Sequence, residues 1–264
     1  MQQSSGTKAA SAPAWPNSQT SATVRTRDRI ACMYVRLKVR MGAGQMRTLS
    51  AIVTIGFAGC LGAVALAQQH QPQKPQHMEH KFDDPARYAR SFDDPARDLW
   101  QMPSRVIEAL ALKSGMKVAD IGAGTGYFSM RLAKIPGVSV YAVDIEPKMV
   151  DYVKKRAASE QANNVTGVLA GATSPNLPEP VDVIFVVDTY HHLPNRPAYF
   201  RDLRKSLKPG GRIAIVDFRK DAPEGPPVHF RFTPQQIQDE MKHAGYQLDA
   251  SHDFLPRQHF LIFR

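Results

Sequence analysis

From residue 104 to the end, the chain alternates between short runs of adjacent apolar residues and longer stretches whose apolar positions fall three or four apart. The short runs, 117–121, 139–144, 165–170, 181–187, 212–218, 246–251 and 259–263, predict strands. The spaced stretches, 105–112, 127–134, 147–161, 199–207 and 234–244, predict helices, the last stopped by Gly245. The run 181–187 (VDVIFVV) is apolar almost throughout, as expected of a central strand covered on both faces. Strand and helix in alternation argue for an α/β fold, a doubly wound Rossmann-like three-layer sandwich on a mostly parallel sheet. The two closing strands have a short connection, which makes them antiparallel neighbours. In such a sheet, ligands gather at the carboxyl ends of the strands.

Ahead of this body, 81–103 holds a tandem ten-residue repeat, KFDDPARYAR then SFDDPARDLW. Each copy has a helix start, with Asp84 or Asp94 as N-cap and Pro85 or Pro95 at the first helical position. Two short helices forming a lid are expected, with Phe82, Tyr88, Phe92 and Trp100 packing the segment onto the body. The chain thus divides into 1–45 without a readable fold, an apolar segment at 46–67, a Gln/Pro/His-rich linker at 68–80, the lid at 81–103 and the main domain at 104–264.

The apolar segment has an address written into it. Arg47 precedes the uncharged run LSAIVTIGFAGCLGAVALA, which closes on Ala65-Leu66-Ala67, the order of a secretory signal with small residues before a cleavage site. A start at Met46 would give a short positive region and make 1–45 a start-site artefact. A cleaved signal is the first reading; an uncleaved membrane anchor and a lipoprotein signal at Cys60 are the others. All three put the body outside the cytoplasm, periplasmic or membrane-anchored, with membrane contact only through this run. A cytoplasmic location is the alternative.

Composition narrows the chemistry. The formal charge of +10 resides mainly in the first 80 residues, with 9 Lys/Arg against 2 Asp/Glu; residues 81–264 hold 25 against 22, which gives no nucleic-acid signature. Both cysteines, Cys32 and Cys60, precede the body, so a thiol nucleophile or Cys-based zinc site is excluded from it. Asp188, His191, His192 and Asp217 or His229 suit a divalent ion by type, but their spacing matches no template, and no metal is expected. Arg196, Arg201 and Arg204 read as a solvated helix face, and 225–229 (GPPVH) as a rigid connection after the strand 212–218.

The strongest signal is V-A-D-I-G-A-G-T-G at 118–126. Glycines ending a buried strand let the backbone turn tightly and approach a ligand closely. Asp144 ends the next strand, 18 residues past Gly126, where a carboxylate can accept both hydroxyls of a ribose. Asp120 immediately before the glycines, the apolar strand 181–187 and the L-K-P-G-G turn at 207–211 leading into R-I-A-I-V-D complete three motifs in order. Together they resemble the class I S-adenosylmethionine-dependent methyltransferases, in particular the small-molecule branch with the ubiquinone and menaquinone methyltransferases, over about 104–264.

This resemblance implies a seven-stranded sheet whose last strand is antiparallel, with S-adenosyl-L-methionine as cofactor. It places Asp120 near the methionine amino group, Gly122, Ala123, Gly124 and Gly126 along the cofactor, Asp144 on the ribose and Ile145 beside the adenine. The family often carries an acid after the third strand; Ala170-Gly171-Ala172-Thr173 has none. Asp188, His191 and His192, at the end of the fourth strand, would face the methyl group, with either histidine as proton acceptor. The implied activity is methyl transfer to a small-molecule acceptor. Methylation of a protein or lipid, a fold that binds cofactor without turnover, and an NAD-linked oxidoreductase are the alternatives; the last lacks a G-x-x-G helix entry and a hydride-transfer acid/base pair. S-adenosylmethionine is made in the cytoplasm, so chemistry and address pull in opposite directions.

Overall fold

The computed structural model describes Phe82 and residues 84–264. The readings of 1–80 lie outside the described residues, among which no helix is long and apolar enough to cross a membrane.

The repeat yields two unlike products. Its first copy starts α1 (Pro85–Phe92), which runs on through Ser91 and Phe92 of the second, and the Asp84 carboxylate accepts from the Arg87 N–H. The second copy forms a 3₁₀ turn (Pro95–Arg97), capped by Asp94, that runs into the four-residue α2 (Asp98–Gln101). Met102 then takes a left-handed conformation and α3 (Pro103–Ala109) restarts behind a proline, since the residue before proline is kept out of the right-handed helical region.

The main domain follows as β1 (Lys117–Ile121), α4 (Tyr127–Leu132), β2 (Ser139–Asp144), α5 (Pro147–Ser159), β3 (Val165–Leu169), β4 (Val181–Val187), α6 (Arg196–Leu203), β5 (Leu207–Phe218), α7 (Pro234–His243), β6 (Leu248–His252) and β7 (Gln258–Phe263). The seven strands lie in the order β3-β2-β1-β4-β5-β7-β6. β7 alone runs against its neighbours, wedged antiparallel between β5 and β6. This is the doubly wound sheet with a reversed last strand expected from the resemblance.

Alternate residues of the central strands feed the two faces. Ile184, Val186, Ile213, Ile215, Leu261 and Phe263 pack with Phe200 and Leu203 of α6 and Ile237 and Met241 of α7. Val183, Phe185, Ala214, Val216, Phe260 and Ile262 pack with Val106 of α3 and Phe128 and Leu132 of α4. Val181 breaks the alternation because the β4–β5 register jumps there, from Val181 against Leu207 to Val183 against Arg212. The intervening K-P-G-G therefore forms a bulge inside β5 rather than a turn before it, with Gly210 at φ 77°, and the strand starts five residues earlier than the apolar run suggests.

Of the three arginines read as a solvated face, Arg201 and Arg204 are exposed as expected, and Arg196 is not. Arg196 is buried, donates through Nε and Nη2 to Glu240 of α7 at 2.6 and 2.9 Å and lies 4.1 Å over the Phe232 ring. Arg204, in the 3₁₀ turn that follows α6, lies over Tyr246 and stays exposed. At Arg196 the helix meets α7, through a partner 44 residues away in sequence.

Candidate functional site

Three strand ends meet at the carboxyl edge of the sheet. After β1 the chain turns through Gly122, Gly124 and Gly126, at φ 73°, 55° and 87°. The N–H groups of Gly122 and Ala123 donate to the Val143 carbonyl at 2.8 and 3.0 Å, tying the loop to β2. Gly122 has no room for a side chain: a Cβ would lie 2.2 Å from Thr189 Oγ1, on the segment leaving β4. The glycine loop and the β4 end are thus in direct contact.

Asp144, at the end of β2, accepts from the Gly124 N–H at 2.8 Å and the Glu146 N–H at 2.9 Å, one bond on each oxygen. Burial nonetheless raises its pKa above the usual carboxylate value. Each oxygen keeps a lone pair for a further donor. Ile145 beside it is 58% exposed, unusual for so large an apolar side chain. After β3, the loop at 170–174 closes on itself, with the Gly171 N–H on the Ser174 carbonyl at 2.8 Å.

Asp120 is buried under the loop and accepts from the Ser129 hydroxyl of α4 at 2.6 Å. Burial outweighs that bond and pushes the carboxyl up to about 6. The Thr125 hydroxyl, also buried, has no hydrogen-bond partner.

At the end of β4, Asp188 adopts φ 51°, and its carboxylate is paired with Arg97 at 2.9 Å. Burial and the neighbouring Asp217 raise it to about 6 against the pull of Arg97 and His191. A 3₁₀ turn (Tyr190–His192) follows. His191 is buried, and its Nδ1 lies 2.9 and 3.1 Å from the two oxygens of Asp217 on β5. Burial alone would lower its pKa; Asp217 outweighs burial, so the net shift is upward. His192 is half-buried, its ring 4.3 Å from that of His191 and 5.6 Å from Phe82. No cluster of three or more metal-ligating side chains occurs among the described residues.

The N-terminal segment closes this edge. Phe82, Tyr88 and Phe92 pack ring on ring, and Phe92 lies against Gly124, 3.4 Å from where a Cβ would stand. Trp100 packs on Phe218 at the end of β5. Asp93 pairs with Arg156 of α5 at 2.7 Å, and Arg156 also donates to the Thr125 carbonyl at 3.0 Å. The 225–229 connection is braced by Arg231, whose guanidinium donates to the carbonyls of Pro226 and Ala222 at 2.6 Å.

The structure thus brings Asp120, Gly122, Ala123, Gly124, Gly126 and Asp144 around one loop, with Ile145 beside Asp144, and the segment carrying Asp188, His191 and His192 meets that loop where Thr189 packs on Gly122. Sequence reasoning did not find Arg97, Gln101 or Gln258, which contact Asp188 or one another, nor the pairing of Asp217 with His191. Arg97 had a faint signal, since it recurs as Arg87 in the first repeat copy. The glutamines had none.

A family model for a methyltransferase domain matches residues 112–254. The chain belongs to that family. Among curated relatives, phosphoethanolamine N-methyltransferase 1 of Arabidopsis thaliana is 32% identical over 143 residues, 54% of this chain and 27% of that protein. The 27-O-demethylrifamycin SV methyltransferase of Amycolatopsis mediterranei is 31% identical over 121 residues, 45% of this chain and 44% of that protein. The chain therefore spans less than half the length of these relatives. Among solved structures, a SAM-dependent methyltransferase from Aquifex aeolicus superposes with a TM-score of 0.63 at 26% identity, covering 68% of this chain and 97% of that one.

The cofactor of this family is S-adenosylmethionine, and the residues present fit it. The glycines leave the loop without side chains, Asp144 holds two oxygens ready for hydroxyl donors, Ile145 offers an uncovered apolar surface, and Thr125 carries an unpartnered buried hydroxyl.

Proposed function

We propose that this protein is an S-adenosylmethionine-dependent methyltransferase acting on a small-molecule acceptor. The observation that supports this reading is the direct contact of the glycine loop with the segment leaving β4, together with the Asp144 carboxylate bonded to the same loop through the Gly124 N–H. The cofactor supplies a methyl group on a sulfonium, an electrophile that needs no activation by the protein.

The chain's own residues bind and align. Gly122, Ala123, Gly124 and Gly126 allow close approach, Asp144 accepts the ribose hydroxyls, Asp120 receives the methionine ammonium and Ile145 lies along the adenine. Alignment of two reacting groups is the main contribution open to such a site. Asp217 fixes His191 through Nδ1, and the more exposed His192 rests on that ring; in this reading His192 takes the proton from the acceptor. Asp188 supplies negative charge on the acceptor side. The small-molecule class is supported by the names of the two relatives, which specify phosphoethanolamine and a demethylrifamycin. Export through the run 49–67 is part of the proposal and rests on sequence alone. A fusion of residues 46–100 to a reporter active only after export tests it, and cytoplasmic retention would sink it.

The test of function is calorimetric titration of S-adenosylmethionine into the purified chain, with Asp144→Ala as control. Micromolar binding is expected, weakened about 30- to 150-fold in the variant, since a carboxylate with two hydrogen bonds is worth about 2 to 3 kcal/mol. Conversion of S-adenosylmethionine to S-adenosylhomocysteine in the presence of a panel of acceptor amines, phosphoethanolamine included, and quinols then separates an enzyme from a binder. Absence of binding to the wild type would overturn the proposal.

A further inference from the structure

The Asp188 carboxylate is one corner of a closed ring of four side chains. Arg97 Nη2 donates to Asp188 Oδ2 at 2.9 Å and Arg97 Nε to Gln101 Oε1 at 2.7 Å. Gln101 Nε2 donates to Gln258 Oε1 at 2.7 Å, and Gln258 Nε2 donates to Asp188 Oδ1. Both paths start on the guanidinium, which can only donate, and end on the carboxylate, which when ionised can only accept. Each glutamine amide therefore has one workable orientation: turning either would oppose oxygen to oxygen or nitrogen to nitrogen. Gln101 and Gln258 are 0% and 1% exposed, a setting in which an unbonded amide is costly. Gln101 ends α2 and Gln258 begins β7, so the ring ties the N-terminal segment, the β4 end and the reversed strand together. Arg97, Gln101 and Gln258 all lie outside the residues matched by the family model.

We propose that Gln101 and Gln258 are positioning residues, which through this ring hold the Asp188 carboxylate in one orientation and make the segment 84–103 a fixed wall on the acceptor side of the site. The acceptor-side assignment rests on the function proposed above; the effect on Asp188 does not. Charged or titratable groups facing Asp188 are Arg97 of the N-terminal segment, His191 of the turn after β4 and Asp217 of β5. Gln258 of β7 adds a hydrogen bond that favours the ionised form.

The experiment is a pH titration of the full chain labelled with carboxyl-¹³C aspartate, the Asp188 resonance being assigned by its loss in Asp188→Asn. The wild-type midpoint is expected near 6. Gln258→Met, which keeps the volume and removes the donor, should raise it by about one unit. Gln101→Met, which never touches Asp188, should raise it by less, through the released Gln258 amide. Gln258→Glu, of the same shape, should raise it most by setting a second carboxylate against the first, and it serves where the Met variant does not fold. A midpoint unmoved in these variants, with only the melting temperature lowered, would mean that the amides merely fill space and would overturn the proposal. S-adenosylhomocysteine affinity should stay within about twofold of wild type in Gln258→Met; a tenfold loss would put the ring on the cofactor side and overturn the acceptor-side assignment. If the wild type binds no S-adenosylhomocysteine, the proposed function fails while the Asp188 titration remains readable.

Discussion

Gly122 shows how much of this site is decided by single atoms. Its φ of 73° disfavours any side chain, and a Cβ would meet Thr189 Oγ1 at 2.2 Å, an oxygen held in place by its bond to the Val187 carbonyl at 2.8 Å. Gly122→Ala is therefore expected to lower stability by about 1 to 3 kcal/mol and to weaken S-adenosylmethionine binding. Adding Thr189→Ala removes the clash but leaves the backbone strain, so urea unfolding of the double variant should recover only part of the loss. Full recovery would show that φ carries no strain there; no recovery would show that the hydroxyl is not the obstacle. The glycines and the acids Asp120 and Asp144 were legible because their signal is local, a turn beside a strand end. Asp188 was legible as a site candidate but its setting was not. Its partners Arg97 and Gln258 lie 91 and 70 residues away, beyond the reach of any spacing rule. Arg196 was misread for the same reason: helical periodicity identifies a face, and only α7 decides whether that face meets water.

Among the elements, strand interiors were read well and their ends less well. A continuous apolar run marks where a strand is buried, whereas β5 extends through a bulge of Lys208, Pro209 and two glycines that carries no apolar signal. The repeat gave the helix starts, since Asp-Pro capping is local, but not the break in the second copy, which follows from Pro103 and from the bonds of Arg97 and Gln101. The helix α7 has the opposite balance, being specified almost wholly by its own ends. Thr233 Oγ1 accepts from the Gln236 N–H at 3.2 Å while Gln236 Oε1 accepts from the Thr233 N–H at 2.9 Å. The helix then buries Ile237 and Met241. Thr233→Ala is expected to cost about 1 kcal/mol in unfolding free energy while S-adenosylmethionine affinity stays unchanged, because the cap touches none of the site residues. A loss of affinity would mean that α7 reaches the site through Tyr190, whose hydroxyl bonds Glu240.

At the scale of the whole molecule, the site leaves a charge debt that pH should expose. Asp120 and Asp188 are both raised from 3.8 to about 6, in each case chiefly by burial. A carboxyl that holds its proton more tightly folded than unfolded favours the folded state most below the unfolded value, and that advantage is lost as pH rises through the folded value. A shift of about two units corresponds to at most about 3 kcal/mol for each group. His191, raised by Asp217, works in the same direction, adding stability below 6.5 that fades as pH climbs through its folded value. His259, lowered by burial, opposes it near neutrality. The lowered carboxyls of Asp182 and Asp221 matter only below about 4, where their protonation removes stability. Thermal melts should therefore peak near pH 4 and fall toward pH 8, most steeply between about 4 and 6. Asp120→Asn keeps an oxygen for the Ser129 hydroxyl and removes the buried charge. It should raise the melting temperature most at pH 8, by roughly half as much at pH 5, and weaken S-adenosylmethionine binding at both. A variant that gained no stability at pH 8 would mean that Asp120 is already neutral there or is solvated in the free protein. Stability gained together with affinity lost would identify Asp120 as a charge kept buried for the ligand's sake.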